Sequence, residues 1–286
     1  MKKKLLASLV FLPCLLFAQQ GKVFDNLTVP SKILKMDRKY AVYLPPDYET
    51  SQRSYPVLYL LHGAGDDHTG WVQFGEVLRI ADEAIRTGKS TPMIIVMPDA
   101  NTGKRGYFNS LKKDWNYEDF FFQEFMPAVE KTYRIKAEKR FRAISGLSMG
   151  GGGTFVYALH HPELFSSACP LSAYAGPLSM EETLQFLVRR EEAASDTGGV
   201  AAYYYNHSVL ELIKNAKKDQ ISSVRWYIDC GDDDFLFEGN SLVHIALKKK
   251  EVPHEFRIRD GAHTWTYWRE SLPEVLGFVS MAFHQY

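Results

Sequence analysis

Hydrophobic positions in this chain fall into two kinds of run that take turns along it. The first kind is short and unbroken. Val57-Leu58-Tyr59-Leu60-Leu61, Met93-Ile94-Ile95-Val96-Met97 and the stretch from Phe165 to Leu171 carry no polar face. Such runs predict strands in the middle of a parallel sheet, buried on both sides. Lys39 to Leu44 alternates and stops at Pro45-Pro46, Glu255 to Arg259 alternates as well, and Val224 to Asp229 ends at Gly231; each predicts a strand. Val23 to Leu34 is a weaker strand pattern, broken at Pro30. The second kind has helical spacing. It covers Trp71 to Arg86, Phe120 to Tyr133 with Glu118 and Asp119 in its first turn, Thr154 to His160, Val209 to Lys217, Leu236 to Lys250 and Leu272 to Phe283. Phe120, Phe121, Phe122 and Phe125 are expected as core packing rather than as a ligand box.

Strands that alternate with helices imply a mostly parallel sheet with helices on both faces. The rhythm breaks once, between Ser172 and Tyr205. That segment has no strand pattern. It holds a charged helical piece from Met180 to Ala194, then Thr197-Gly198-Gly199, then Tyr203-Tyr204-Tyr205. It is expected to be an insertion, 172–205, lying over the top of the sheet as a lid.

The chain has 286 residues, 45% of them hydrophobic, which is enough for one large α/β domain. Basic and acidic side chains balance at 34 each, so neither a nucleic-acid footprint nor an acidic tail is implied. Lys2 to Lys4, the apolar run Leu5 to Phe17 and Ala18 resemble a secretory signal peptide over 1–18, too short for a comfortable membrane span. A lipoprotein reading of Cys14 is poorly matched by Phe11-Leu12-Pro13. The expectation is therefore a periplasmic or secreted protein without stable membrane insertion, whose single α/β domain occupies 19–286. Without the leader, 31 basic side chains face 34 acidic ones. Cys169 and Cys230 lie in strand-like runs and are expected as two buried free thiols rather than a bridge.

The chemistry centres on Gly146-Leu147-Ser148-Met149-Gly150, placed where a strand turns into a helix. A serine on such a turn is held in a strained backbone conformation, with its hydroxyl at the tip of the sheet. Active groups in parallel sheets gather at the carboxyl ends of strands. Ser148, the run Asp232-Asp233-Asp234 and His263 each follow a strand. Serine, acid, histidine is the chain order of α/β-hydrolases. The spacing leaves the acid open among the three aspartates. His62-Gly63-Ala64-Gly65, just after a strand, can supply a backbone N–H to an oxyanion, so Ala64 and Met149 are the expected donors. His62 is expected as a scaffold for this loop rather than a base. No metal and no cofactor is expected, although His62, Asp66, Asp67 and His68 offer a weaker metal-loop alternative. His160 and His161 are expected to be structural.

Tyr55 to Gly63, Tyr117 to Phe121, Gly146 to Gly150, Cys230 to Leu236 and Gly261 to Trp265 together resemble the putative-esterase (esterase D-like) branch of α/β-hydrolases. Within it, they resemble the bacterial feruloyl and acetyl-xylan esterases of carbohydrate esterase family 1. The resemblance spans nearly the whole chain after the leader and is weakest over 172–205. It implies the α/β-hydrolase fold, and it carries the acid role to Asp234, the aspartate before Phe235-Leu236. Ala262-His263-Thr264 departs from the family's glycine-rich pattern around the base without changing the imidazole. The implied function is a secreted serine carboxylesterase that removes feruloyl or acetyl groups from plant-cell-wall polysaccharide. Trp71, Trp265 and Trp268, with Trp115, Tyr107 and Tyr267, are candidates to stack on the substrate and equally candidates for core. Rival readings are acyl transfer or peptide cleavage, a general short-chain esterase, an S-formylglutathione hydrolase-like thioesterase, which export disfavours, and a non-enzymatic carbohydrate binder, which needs no serine turn.

Overall fold

The unbroken apolar runs form the middle of an eight-stranded sheet. The computed structural model describes residues 19–101, 106–192 and 197–284. The strands are β1 (Lys22–Ser31), β2 (Met36–Leu44), β3 (Val57–Leu61), β4 (Ile94–Pro98), β5 (Arg142–Leu147), β6 (Ser167–Leu171), β7 (Arg225–Gly231) and β8 (His254–Arg259). Their spatial order is β1-β2-β4-β3-β5-β6-β7-β8. β2 runs antiparallel to both neighbours, and every pairing from β4 to β8 is parallel. Leu61 pairs with Gly146, and Leu147 with Leu171. That register brings the carboxyl ends of β3, β5 and β6 to one edge, where the loops that follow them meet.

Between and after the strands come α1 (Gly70–Gln73), α2 (Val77–Arg86), α3 (Tyr117–Phe120), α4 (Met126–Thr132), α5 (Met149–His160), α6 (Met180–Arg189), α7 (Thr197–His207), α8 (Val209–Asn215), α9 (Lys218–Ser222), α10 (Phe237–Lys249) and α11 (Trp265–His284). Ile80 and Ala84 of α2 and Leu272, Val275 and Val279 of α11 cover one face of the sheet. Phe121, Phe125, Phe155, Ile213 and Val243 cover the other. Every residue of β3 to β6 is buried. Each fully buried aliphatic or aromatic side chain here contributes about 1.5–3 kcal/mol, so the two apolar layers are the main source of stability. Cys169 and Cys230 are buried free thiols, as expected.

Four boundaries differ from the sequence reading, each for a local reason. The span expected as one helix from Trp71 to Arg86 is two helices, because Glu76 takes a left-handed backbone (φ 51°). The helix expected over Phe120 to Tyr133 widens into a looser turn at Phe121–Phe125, next to Pro127, which has no N–H to close the regular ladder. α11 begins at Trp265 rather than Leu272 and runs through Pro273. β1 continues across Pro30, which an edge strand tolerates. The expected leader, 1–18 with Cys14, lies outside the described residues. Among the described residues no helix is long and apolar enough to cross a membrane.

The segment after β6 forms α6 and α7 at the edge where the loops meet. Ser179 caps α6 by accepting the Glu182 N–H (3.1 Å), while the Glu182 carboxylate accepts the Leu178 N–H (2.8 Å). The two helices share a small core of Leu187, Val200 and Tyr203. His207, at the end of α7, is buried between Phe108 and Tyr203 and bonds the Tyr203 carbonyl through Nδ1 (2.9 Å). Burial lowers its pKa to about 4, against the opposing pull of Glu118 and the Tyr203 bond.

A histidine that stays neutral when folded and charges when unfolded favours the native state fully above its unfolded value. That contribution is lost as the pH falls from about 6.5 towards the folded value. His160 works in the opposite sense: burial lowers its pKa, but Glu118 raises it further. A His207→Leu variant therefore separates the two. Between pH 7 and pH 5, in urea titrations, the wild-type protein should lose about 2 kcal/mol more stability than the variant does. Equal losses would remove His207 as the cause.

Candidate active site

β5 ends at Leu147 and α5 begins at Met149, so the turn between them is Ser148 alone. Its backbone sits at φ 54° and ψ −116°, a conformation costing about 1–3 kcal/mol for a residue with a Cβ. Neighbouring hydrogen bonds hold it there. Ser148 N–H donates to the Leu171 carbonyl (2.9 Å), and the Ser148 carbonyl accepts from Tyr174 N–H and Gly152 N–H (3.0 Å each). The flanking glycines allow the turn to close. A Cβ on Gly146 would stand 2.6 Å from the Gly150 carbonyl oxygen, and one on Gly150 would stand 2.6 Å from that of His62.

The structure brings the serine, one aspartate and the histidine together. His263 Nε2 lies 2.9 Å from Ser148 Oγ, and His263 Nδ1 lies 2.8 Å from Asp234 Oδ2. An ionised carboxylate only accepts, so Nδ1–H donates to it, and Nε2 is left to accept the serine proton. The other Asp234 oxygen accepts the Leu236 N–H (2.8 Å). Burial by itself would raise the Asp234 pKa. Bonds from His263 and the Leu236 N–H, with the Ser172 hydroxyl nearby, outweigh it and hold the carboxyl below its usual range. Asp232 and Asp233 are exposed, and Asp232 accepts the Gly261 N–H instead (3.0 Å). The imidazole stands between Phe235 (4.5 Å between ring centres) and Trp268 (4.8 Å, rings at 89°).

His62 is buried, and its Nε2 accepts the Ala100 N–H (2.9 Å). Nδ1 therefore carries the proton and donates it to the Gly63 carbonyl (2.8 Å). Burial lowers the pKa of this ring, with the Gly63 bond and Asp99 opposing. His62 thus ties the loop after β3 to the end of β4, as a scaffold. His68 Nε2 meets the Asp25 carbonyl (3.0 Å), and among the described residues His62, Asp66, Asp67 and His68 do not gather their ligand atoms at one point. His160 bonds Glu118 (2.6 Å) and the Asn206 carbonyl (3.0 Å), away from Ser148.

A cavity of about 400 Å³ opens above Ser148, with Ala64 and Met149 beside it. Tyr107, Phe108, Tyr174, Phe186, Phe235 and Leu236 give it apolar walls, and Glu182 and Arg189 also line it. α6 and the segment before it thus contribute part of the wall. Asp66 lines it too, its pKa raised by burial and by Asp67. Met149 is the first residue of α5, where a backbone N–H has no acceptor within the helix.

The tryptophans expected at the substrate are elsewhere. Trp71 is fully buried, its Nε1–H on the Leu61 carbonyl (3.0 Å) and its ring against Trp265. Trp268 is buried, with its Nε1–H on Ser172 Oγ (3.0 Å). Trp265 is half-buried between Trp71, Phe74 and Trp268. None of the three lines the cavity. Their indole rings complete the layer beneath α11 rather than the surface above Ser148. Of the wider aromatic set, Tyr107 does line it, while Trp115 and Tyr267 are buried. The sequence reading missed Phe186 and Phe235, which line the cavity. Only Phe235, adjacent to Asp234, carried a positional hint.

Comparison with known proteins bears on the family and the fold. The family model described as "Putative esterase" matches residues 31–279. An esterase of Mycobacterium tuberculosis (strain H37Rv) is 37% identical over 251 residues, covering 78% of this chain and 52% of that protein. An endo-1,4-beta-xylanase/feruloyl esterase of Xylanibacter ruminicola is 38% identical over 245 residues, covering 82% of this chain and 28% of that protein. The chain thus spans about half the length of the first relative and a smaller part of the second. A solved ferulic acid esterase superposes with a TM-score of 0.82 at 36% identity, covering 92% of this chain and 99% of that one. An S-formylglutathione hydrolase structure from Agrobacterium tumefaciens, 21% identical with a TM-score of 0.74, covers 93% and 96% and shares the fold. With a matched model over most of its length, an eight-stranded α/β-hydrolase sheet and a serine on its central turn, the chain belongs to this esterase family.

Proposed function

We propose that the protein is a serine carboxylesterase acting through Ser148, His263 and Asp234, with feruloyl-type esters of plant-cell-wall polysaccharide as substrate. The observation that carries the reading is the unbroken chain of contacts from Ser148 Oγ through His263 to Asp234, at 2.9 and 2.8 Å, at the cavity. Ser148 Oγ attacks the ester carbonyl carbon while its proton passes to His263 Nε2. Asp234 holds the imidazole in the right tautomer and stabilises the imidazolium. The N–H groups of Met149 and Ala64 receive the oxyanion. His263 returns the proton to the leaving alcohol, then takes one from water as the acyl-serine is hydrolysed.

The cavity walls favour an aromatic acyl group over acetyl. The rings of Tyr107, Phe108, Tyr174, Phe186 and Phe235 offer faces and edges for a planar ring. The names of the Xylanibacter ruminicola relative and of the solved ferulic acid esterase point the same way. Export completes the reading and rests on the basic and apolar pattern of residues 1–18. A purely carbohydrate-binding role leaves the serine–imidazole–carboxylate chain without a purpose.

Two measurements test this. Ser148→Ala should lower kcat on methyl ferulate by about 10⁴-fold or more, with the fold intact by circular dichroism. Retained turnover would sink the nucleophile assignment. Phe186→Ala should raise KM for methyl ferulate about fivefold, with little change on p-nitrophenyl acetate, whose acyl group is too small to reach the ring. An equal effect on both esters would count against the aromatic acyl slot.

A further inference from the structure

The four residues that end and follow β6, Leu171 to Tyr174, meet more of the site than their place in the chain suggests. The Leu171 carbonyl and the Tyr174 N–H bracket Ser148 from both sides of its strained backbone. Between them lies Ser172, fully buried, with a left-handed backbone at φ 43°. Its N–H donates to the Asp229 carbonyl of β7 (2.8 Å). Its Oγ accepts the indole N–H of Trp268 (3.0 Å), and the same indole stands edge-to-face on His263 (4.8 Å between ring centres, 89°). Accepting the indole N–H leaves the Ser172 hydroxyl its own O–H to donate. The Asp234 carboxylate and the Cys230 thiol are its neighbours, and the carboxylate is by far the stronger acceptor.

From this juxtaposition we infer that Ser172 is a positioning residue for ester hydrolysis. It links the serine turn, the carboxylate and, through Trp268, the imidazole. The inference rests on the reading of Ser148, His263 and Asp234 as the reacting group. A left-handed backbone at a buried serine is costly, and here it aims the hydroxyl between Trp268 and Asp234. Glycine holds such a backbone without strain, so Ser172→Gly removes the hydroxyl and spares the turn. The buried Trp268, in the same scheme, orients the base rather than the substrate. Cys230 does not confuse the test. Burial, with Asp234 and Asp229 adding to it, pushes its thiol up to about 12, so it stays neutral through the assay range.

The experiment uses the full chain and p-nitrophenyl acetate as probe, with Ser172→Gly, Trp268→Phe, the double variant and Ser148→Ala. Trp268→Phe keeps a ring beside His263 and loses the N–H. Ser172→Gly should lower kcat about tenfold at unchanged KM, through loss of the hydroxyl that holds Trp268 against His263 and faces the Asp234 carboxylate. It should also move the acid limb of the kcat profile upward by about half a pH unit. Without the hydroxyl dipole, the carboxylate presents a more negative field to the imidazole and stabilises its protonated form. The double variant should fall little further than the worse single variant, because both remove parts of one linkage. Three results would overturn the inference: wild-type kcat in Ser172→Gly, a lowered kcat with an unmoved acid limb, or fully additive losses. Should Ser172→Gly fail to fold by circular dichroism, Ser172→Ala read the same way decides the matter. Activity surviving in Ser148→Ala instead overturns the underlying site, and so separates that failure from this one.

Discussion

The structure depends most on a single residue held where residues of its kind rarely go. Ser148 has a positive φ, and nothing within its own turn favours that. The conformation persists because β3, β5 and β6 are aligned, so that Leu171 and Tyr174 are in place to bond it and Gly146 and Gly150 leave no Cβ to hold the chains apart. The two apolar layers on the sheet supply the stability against which this local cost is small. The site is strained and the frame beneath it is not.

The polar groups buried under the site follow the same logic. Asp229, wholly buried on β7, receives the hydroxyls of Tyr227 (3.2 Å) and Tyr267 and the guanidinium of Arg259 (2.8 Å). Those bonds fasten the first turn of α11 to the sheet, directly after the loop that carries His263. His62 does similar work on the other side, where two backbone partners satisfy both ring nitrogens. A buried polar group left unpartnered costs about 1–3 kcal/mol, so both networks specify where their loops go as much as they stabilise them.

Much of this was legible in the chain. Unbroken apolar runs mark strands covered on both faces, and β3, β4 and β6 follow them closely. The placement of Ser148, the aspartate run and His263 after strands is equally visible, because sheet topology puts strand ends together. What the pattern cannot show is sidedness at the ends of helices. Trp268 reads as a loop aromatic until α11 is seen to start at Trp265 and turn it inward. Pro30 suggested a break, yet an edge strand with a single partner absorbs a missing N–H. The choice among three adjacent aspartates is a matter of which side chain the turn after β7 buries, and spacing carries no record of that.

α11 also bears on the integrity of the site. The loop that carries His263 is tied to the turn after β7 on one side and leads straight into α11 on the other, and α11 packs with α2 against the sheet. On the proposed reading of these side chains, α11 peeling from the sheet would free the loop of His263 and part the serine from its base, so hydrolysis would demand a docked α11 as well as an intact serine turn.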